Sequence, residues 1–299
     1  MIIFDPSWYI KVKKSQVQFK APLKDYCTYA IGGPAKELAV ALTKEELREY
    51  LIDAKRLNKK YIVIGKGSNC LFDDRGFNGL VIVNRIQDIE WKESSVVVGG
   101  GYSFSLLGIQ ASRKGYTGLE FASGIPGSIG GSVYMNAGSG DLETKDVLEE
   151  VEFLHEDGRI EIYKRDALQF SYRMSIFQKM KGVILSATFR LKLSLDAKEK
   201  QEKLLAYRME TQPYKERSCG CVFRNPEGDS AGRLIDSLGL KGLTQGGAKI
   251  SETHGNFIVN HNQASAEDIL DLIRYVQIKA KHHAGIVLEP EVKYIPFDE

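Results

Sequence analysis

Apolar residues recur along the chain at helical and strand spacings in turn. After Thr43-x-x-Glu46, a capping box, Leu47, Tyr50, Leu51, Ala54 and Leu57 fall on one helical face. Residues 61–69 then read YIVIGKGSN, an apolar strand running into a glycine turn. LVIV and SSVVVGGG are strand-like between 80 and 101, and a helix is expected over 104–114, stopped by Gly115. VEFLHEDGRIEIY, with Asp157-Gly158 at its turn, and VILSATFRLKL surround SYRMSIF, so 61–193 reads as a mixed sheet rich in antiparallel pairs. From Ser194 the composition shifts to a charged helix, LDAKEKQEKLLAYRMETQ, in which Leu204, Leu205 and Arg208 lie close together; a third unit is expected to begin there. The last helix starts near Ser265, puts Ile269, Leu272, Ile273 and Val276 on one face and ends before Gly285, and LEPEVKYI follows as a strand. No internal repeat or low-complexity tract interrupts this order.

Composition narrows the class. A chain of 299 residues with 43% hydrophobic and 27% charged side chains can bury a large core and divide into two or three domains. Forty-one basic residues nearly balance thirty-nine acidic ones, so no net field draws the molecule to nucleic acid or to a membrane surface, and neither is expected as a partner. Any anionic ligand must be gripped locally. Asp5 and Pro6 stand where a signal peptide needs its apolar run, and no later stretch reaches the roughly 18 apolar residues of a membrane span, so a cytoplasmic protein is expected. Cys27, Cys70, Cys219 and Cys221 are irregularly spaced with no CxxC pair, which reads as free thiols rather than a disulfide framework or a zinc site. His254, His261, His282 and His283 read as non-metal histidines, and no metal is expected.

Glycine carries the first chemical signal. It occupies positions 124, 127, 130, 131, 138 and 140, interleaved with Ile125, Ile129, Val133 and Tyr134. That density lets backbone approach a ligand and aim N–H groups at an anion such as a pyrophosphate, whereas a flexible linker would lack the apolar residues. Gly65-Lys66-Gly67-Ser68-Asn69 forms a second turn, without the third glycine of a dinucleotide fingerprint or the GK[ST] end of a P-loop, and alone is equally a plain tight turn. Two such turns suggest a long, doubly anchored ligand such as FAD. Arg173, in Ser171-Tyr172-Arg173-Met174-Ser175, offers a planar fork for a carboxylate, although most arginines are surface or structural. By residue type alone Glu291 is an exposed carboxylate and Cys221 a buried structural thiol with no histidine nearby in sequence to act as its base.

In order, these segments resemble the UDP-N-acetylenolpyruvoylglucosamine reductase family. The match runs through Thr28, Ile31-Gly32-Gly33-Pro34-Ala35, Gly65-x-Gly67-Ser68-Asn69, Gly124-Ile125-Pro126-Gly127-x-x-Gly130-Gly131 and Asn136-Ala137-Gly138. It continues in Tyr172-Arg173-x-Ser175, Gly220-x-Val222-Phe223-x-Asn225-Pro226, Ala231-Gly232-x-Leu234-Ile235, Gly247-Ala248-x-Ile250-Ser251, Asn256-Phe257-Ile258-Val259-Asn260 and Pro290-Glu291-Val292. Nearly the whole chain is covered.

The resemblance implies an α+β protein: a two-subdomain FAD-binding fold of the vanillyl-alcohol-oxidase-like type plus an α+β substrate-binding domain. The first FAD-binding subdomain would span 1–84, with the strand over 292–299 joining it, the second 85–193 and the substrate domain 194–291. FAD would be held without a covalent link by Gly65, Gly67, Ser68, Asn69, Gly124, Ile125, Pro126, Gly127, Gly130 and Gly131. NADPH would deliver hydride, and the substrate would be UDP-N-acetylglucosamine enolpyruvate, reduced in the synthesis of peptidoglycan precursors. The resemblance makes Arg173, Cys221 and Glu291 catalytic and puts Tyr172 and Asn225 at the substrate, with Arg208 and Lys215 as further diphosphate contacts. The family usually carries serine where this chain has Cys221, as donor of the proton to carbon; a thiol is the stronger acid and can serve if it stays protonated. The segment from Arg190 to Pro213 matches the family's shorter branch, and a monomer is expected. The rival expectations are an FAD-dependent oxidase or dehydrogenase of the same fold and an inactive flavin-binding protein.

Overall fold

The computed structural model describes residues 17–298; the opening segment with Asp5 and Pro6, and Glu299, lie outside the described residues. Three sheets of four or more strands carry the chain. The first is built from β1 (Gln18–Pro22), β2 (Pro34–Ala41), β3 (Tyr61–Ile64) and β5 (Phe77–Asn84) in the order β1-β2-β5-β3, while β4 (Cys70–Phe72) lies outside it. Strands β2, β5 and β3 run parallel and β1 antiparallel. The crossover between β2 and β3 is α1 (Lys44–Arg56). The Thr43 hydroxyl accepts from Glu46 N at 3.1 Å, and the Glu46 carboxylate accepts from Leu42 N at 2.7 Å, one residue earlier than the sequence pattern implies. Leu47, Tyr50, Leu51 and Ala54 are buried as expected, but Leu57 is 55% exposed, because the helix ends at Arg56 and Leu57 leaves the apolar face.

The second sheet is antiparallel throughout: Ile160–Lys164, Leu148–His155, Gly182–Arg190, then β7 (Ser95–Gly99) and β6 (Ile89–Trp91). The single mixed sheet expected over 61–193 is thus two sheets. An apolar run such as LVIV reads alike in either, and only the crossover through α1 assigns β3 and β5 to the parallel one. Behind this sheet lie α2 (Phe104–Arg113), ended by Gly115 at φ +81°, α3 (Ile129–Met135) and the short α4 (Thr144–Val147). The charged helix is α5 (Ala197–Thr211), which packs against α2. Its buried residues are Ala197, Gln201 and Arg208, while Leu204 is 37% exposed.

The third sheet orders Arg217–Ser218, Ile258–Asn260, Ala248–Ile250 and Thr244–Gln245, with α6 (Ala231–Ser237) and α7 (Ala266–Ala284) beside it. Ser265 and Asp268 form a capping box on α7, and Gly285 closes that helix at φ +70°. The strand Lys293–Ile295 then pairs in parallel with β4. One apolar cluster joins Leu23, Tyr29 and Phe72 to Val222, Phe223 and Ile269, so the first and third sheets share a core. The second sheet packs its own. Among the described residues no helix is long and apolar enough to cross a membrane.

Candidate active site

The two glycine turns meet at the mouth of a cavity of about 1370 Å³, larger than the several hundred Å³ of a single small-ligand pocket. Ser68 Oγ donates to Pro126 O at 3.0 Å, tying turn 65–69 to loop 124–131. The approach requires glycine: a Cβ on Gly65 would fall 2.0 Å from Ser128 Oγ, and one on Gly67, at φ +62°, would fall 2.2 Å from Tyr26 O. Several loop donors are taken by the protein itself, Gly130 N by Gly100 O at 2.8 Å, Gly131 N by Ser128 Oγ at 3.3 Å and Gly124 N by Ser105 Oγ at 2.8 Å. The N–H groups of Gly67, Ser68, Asn69, Gly127 and Ser128 find no acceptor among the described residues. That cluster of unused donors beside Cβ-free backbone fits a phosphate-bearing cofactor. Lys66 adds a cation that donates to Ser103 Oγ at 2.8 Å, its pKa lowered by burial and by Arg85.

Farther along the same cavity wall lie Arg173, Cys221 and Glu291. Arg173 sits between the short strands Phe170–Ser171 and Met174–Ser175 at φ +57°, a left-handed conformation that costs a non-glycine residue about 1–3 kcal/mol. Gln178 Nε2 donates to Arg173 O at 3.0 Å, and Ser175 Oγ donates to Tyr134 O at 2.8 Å, which holds the hairpin. The Arg173 guanidinium lies 4.8 Å from the Tyr172 ring centroid, and its Nε stands 3.1 Å from Glu291 Oε1. Glu291 is fixed through its backbone: N donates to Val222 O at 2.7 Å, and O accepts from Asn69 Nδ2 at 3.2 Å. Burial pushes the Glu291 carboxyl pKa up, against the pull of Arg173. Burial likewise pushes the Cys221 thiol up to about 12, with Glu291 adding to the rise and Arg173 and Arg208 opposing it. This part of the cavity lining therefore holds a guanidinium fork, a carboxyl group whose pKa burial raises and an undissociated thiol.

The remaining expected positions fall unevenly. Tyr172 is exposed and its hydroxyl accepts from Asn225 N at 3.4 Å, so the two residues meet beside Arg173. Asn225 Oδ1 accepts from Ala231 N at 3.1 Å at the start of α6, which leaves its amide N–H group for a ligand. The Asn69 side chain turns to Glu291, leaving only its backbone N–H toward the cofactor side. Arg208 lines the cavity from α5, 7% exposed, and donates to Phe121 O at 3.4 Å. Tyr214 also lines it, donating to Gly124 O at 2.5 Å and pinning the glycine loop. Tyr214 and the brace Asn256, 2% exposed behind the Cys221 segment, were not singled out from sequence. In the sequence Asn256 stands only as the first residue of the matched segment Asn256-Phe257-Ile258-Val259-Asn260, with no role attached.

Comparison with known proteins agrees with this arrangement. Residues 35–163 match the model of an FAD binding domain, and residues 212–295 match the model of the UDP-N-acetylenolpyruvoylglucosamine reductase C-terminal domain. The chain is 50% identical to the UDP-N-acetylenolpyruvoylglucosamine reductase of Protochlamydia amoebophila, over 95% of each chain. It is 48% identical to that of Chlamydia abortus, over 92% of this chain and 93% of the relative. Among solved structures, the reductase of the same name from Thermus caldophilus superposes with a TM-score of 0.82 at 40% identity, covering 94% of this chain and 100% of that one.

Proposed function

The chain belongs to the UDP-N-acetylenolpyruvoylglucosamine reductase family, and from that premise we propose that it reduces UDP-N-acetylglucosamine enolpyruvate to UDP-N-acetylmuramate with NADPH as reductant. The protein is an FAD-dependent oxidoreductase of peptidoglycan precursor synthesis. In this reading the backbone of 65–69 and 124–131 holds the FAD phosphates, through the unused donors at Gly67, Ser68, Asn69, Gly127 and Ser128. FAD bound there would supply the hydride chemistry, linking NADPH to the terminal vinyl carbon of the substrate.

The residues handle the other half of the reaction. As the new C–H bond forms, the vinyl π pair moves toward the adjacent carbon and its carboxylate, giving an enolate. The Arg173 guanidinium holds that carboxylate and offsets the growing charge. Glu291, whose pKa burial raises against the pull of Arg173, pairs with Arg173 Nε and holds the guanidinium beside that carboxylate. The Cys221 thiol gives its proton to the carbon beside the carboxylate, becomes thiolate and is reprotonated from solvent. A pKa of about 12 keeps that proton in place at neutral pH until it is used. Tyr172 and the Asn225 amide contact the sugar diphosphate, and Arg208 adds a cationic contact from the cavity lining, where Lys215, expected beside it, does not stand. The reactants, a UDP-sugar and NADPH, set the reaction in the cytoplasm, and one chain carries every group named, so a monomer suffices.

The observation that supports this most strongly is the meeting of Arg173, Glu291 and Cys221 in the cavity lined by both glycine turns. The test is anaerobic rapid mixing of the purified holoprotein. NADPH is expected to bleach the flavin absorbance, and the enolpyruvyl sugar to restore it. Bleached flavin that ignores the sugar and recovers only with oxygen would assign the protein to an oxidase chemistry instead.

A further inference from the structure

The segment that presents Cys221 is held from behind by a single side chain. Asn256 is 2% exposed, and its carboxamide makes both backbone bonds to Phe223: Oδ1 accepts from Phe223 N at 2.9 Å and Nδ2 donates to Phe223 O at 2.8 Å. Its own carbonyl accepts from Val222 N at 2.8 Å. The two residues that follow Cys221 thus have three of their backbone hydrogen bonds on one asparagine. Asn256 is itself fixed, its N–H donating to His254 Nδ1 at 3.2 Å, with His254 stacked edge-on against Phe257 at 4.8 Å. Val222 and Phe223 are buried, and Val222 O accepts from Glu291 N at 2.7 Å, a bond that does not involve Asn256.

We propose that Asn256 is a positioning residue for proton delivery: it clamps the backbone of Val222 and Phe223 and so aims the adjoining Cys221 thiol at the substrate carbon. This rests on the reading of Cys221 as the proton donor. No other buried side chain among the described residues bonds both the N–H and the C=O of the residue two past the thiol. A backbone that shifts by about 1 Å when the clamp is lost should slow the transfer on the order of 10²-fold. Flavin reduction by NADPH involves no proton from Cys221 and should be unchanged.

The experiment is a cycle on the FAD-loaded enzyme with wild type, Cys221→Ala, Asn256→Ala and the double variant, following reduction by NADPH and reoxidation by the enolpyruvyl sugar separately. Asn256→Ala is expected to slow reoxidation on the order of 10²-fold, to leave reduction alone and to raise the solvent deuterium isotope effect on reoxidation. In the Cys221→Ala background the same substitution is expected to add no further slowing. Equal slowing in both backgrounds, or none in either, overturns the proposal. Should Cys221→Ala itself reoxidise at the wild-type rate, the donor reading fails and the proposal falls with it. If Asn256→Ala does not hold flavin, Asn256→Asp, which keeps the acceptor for Phe223 N–H and loses the amide donor, is read by the same cycle.

Discussion

Cys221 and Arg173 carry the sharpest consequences of single-residue chemistry. Removing the thiol proton leaves the enolate without its general acid, so Cys221→Ala is expected to slow flavin reoxidation by about 10²- to 10⁴-fold. Cys221→Ser, which restores a hydroxyl, should recover part of it; stopped-flow absorbance reads both. Arg173 is held in a left-handed conformation with its fork partly engaged by Glu291, and lysine has neither the fork nor the reach to keep that pairing. Arg173→Lys should therefore lower turnover by about 10²-fold, the scale of losing one oriented donor to a developing anion. At Gly65 the requirement is steric. A methyl 2.0 Å from Ser128 Oγ and 2.8 Å from its Cβ forces the two glycine turns apart, and Gly65→Ala is expected to purify without flavin, read directly from the absorbance spectrum.

At the level of elements, a helix can depend on caps that come from elsewhere as much as on its own sequence. α7 begins with the Ser265–Asp268 box, yet its Ala266 N–H is also accepted by both oxygens of Asp74, each at 2.9 Å, from the turn between β4 and β5. Asp74→Ala should cost about 1 kcal/mol of stability, the usual worth of a lost cap, seen as a lower denaturation midpoint with flavin content unchanged. The start near Ser265 and the stop before Gly285 were legible because each signal acts within one helical turn. Asp74 was not, since nothing local to residues 70–77 marks a cap for a helix 192 positions later in the chain.

For the whole molecule, Glu291 is a joint between the first and third sheets, which share a core: its backbone bonds Asn69 and Val222, and the strand Lys293–Ile295 just after it pairs with β4. Asp73 closes that joint, accepting from Arg75, from Tyr294 Oη at 2.7 Å and from Phe297 N at 3.4 Å. The Arg75 hydrogen bonds hold the Asp73 carboxyl well below the usual carboxylate range, with burial opposing them. Its stabilising effect is complete above the unfolded value of about 3.9 and is lost as pH falls through the folded one. His254 works at milder acidity. Burial, and then Lys241, lower its pKa, so below about 6.5 the unfolded chain takes up a proton that the folded one resists. Stability should fall as pH drops from 6.5 toward the lowered folded value, and thermal melts across pH should show this loss first and the Asp73 loss below about pH 4. His254→Gln is expected to remove the first step, and Asp73→Asn the second while lowering the melting temperature throughout.

Periodicity, caps and glycine placement in the sequence determined where α1, α2 and α7 begin and end, which runs are strands, and that backbone must come close to an anion at 65–69 and 124–131. These features rest on sterics and hydrogen bonds that span a few residues, so a short window holds the information. The motif order pointed to Arg173, Cys221 and Glu291, but only the tertiary structure decided that they face one cavity and that burial raises the pKa of the last two. It also decided that β3 and β5 leave the antiparallel sheet, that Leu57 lies in solvent and that Arg208 does not. The same packing turns the Asn69 side chain to Glu291 and the Asn256 side chain to Phe223. Each of those outcomes depends on which distant surface excludes water from a residue or offers its polar atoms a partner, and no local pattern encodes that choice.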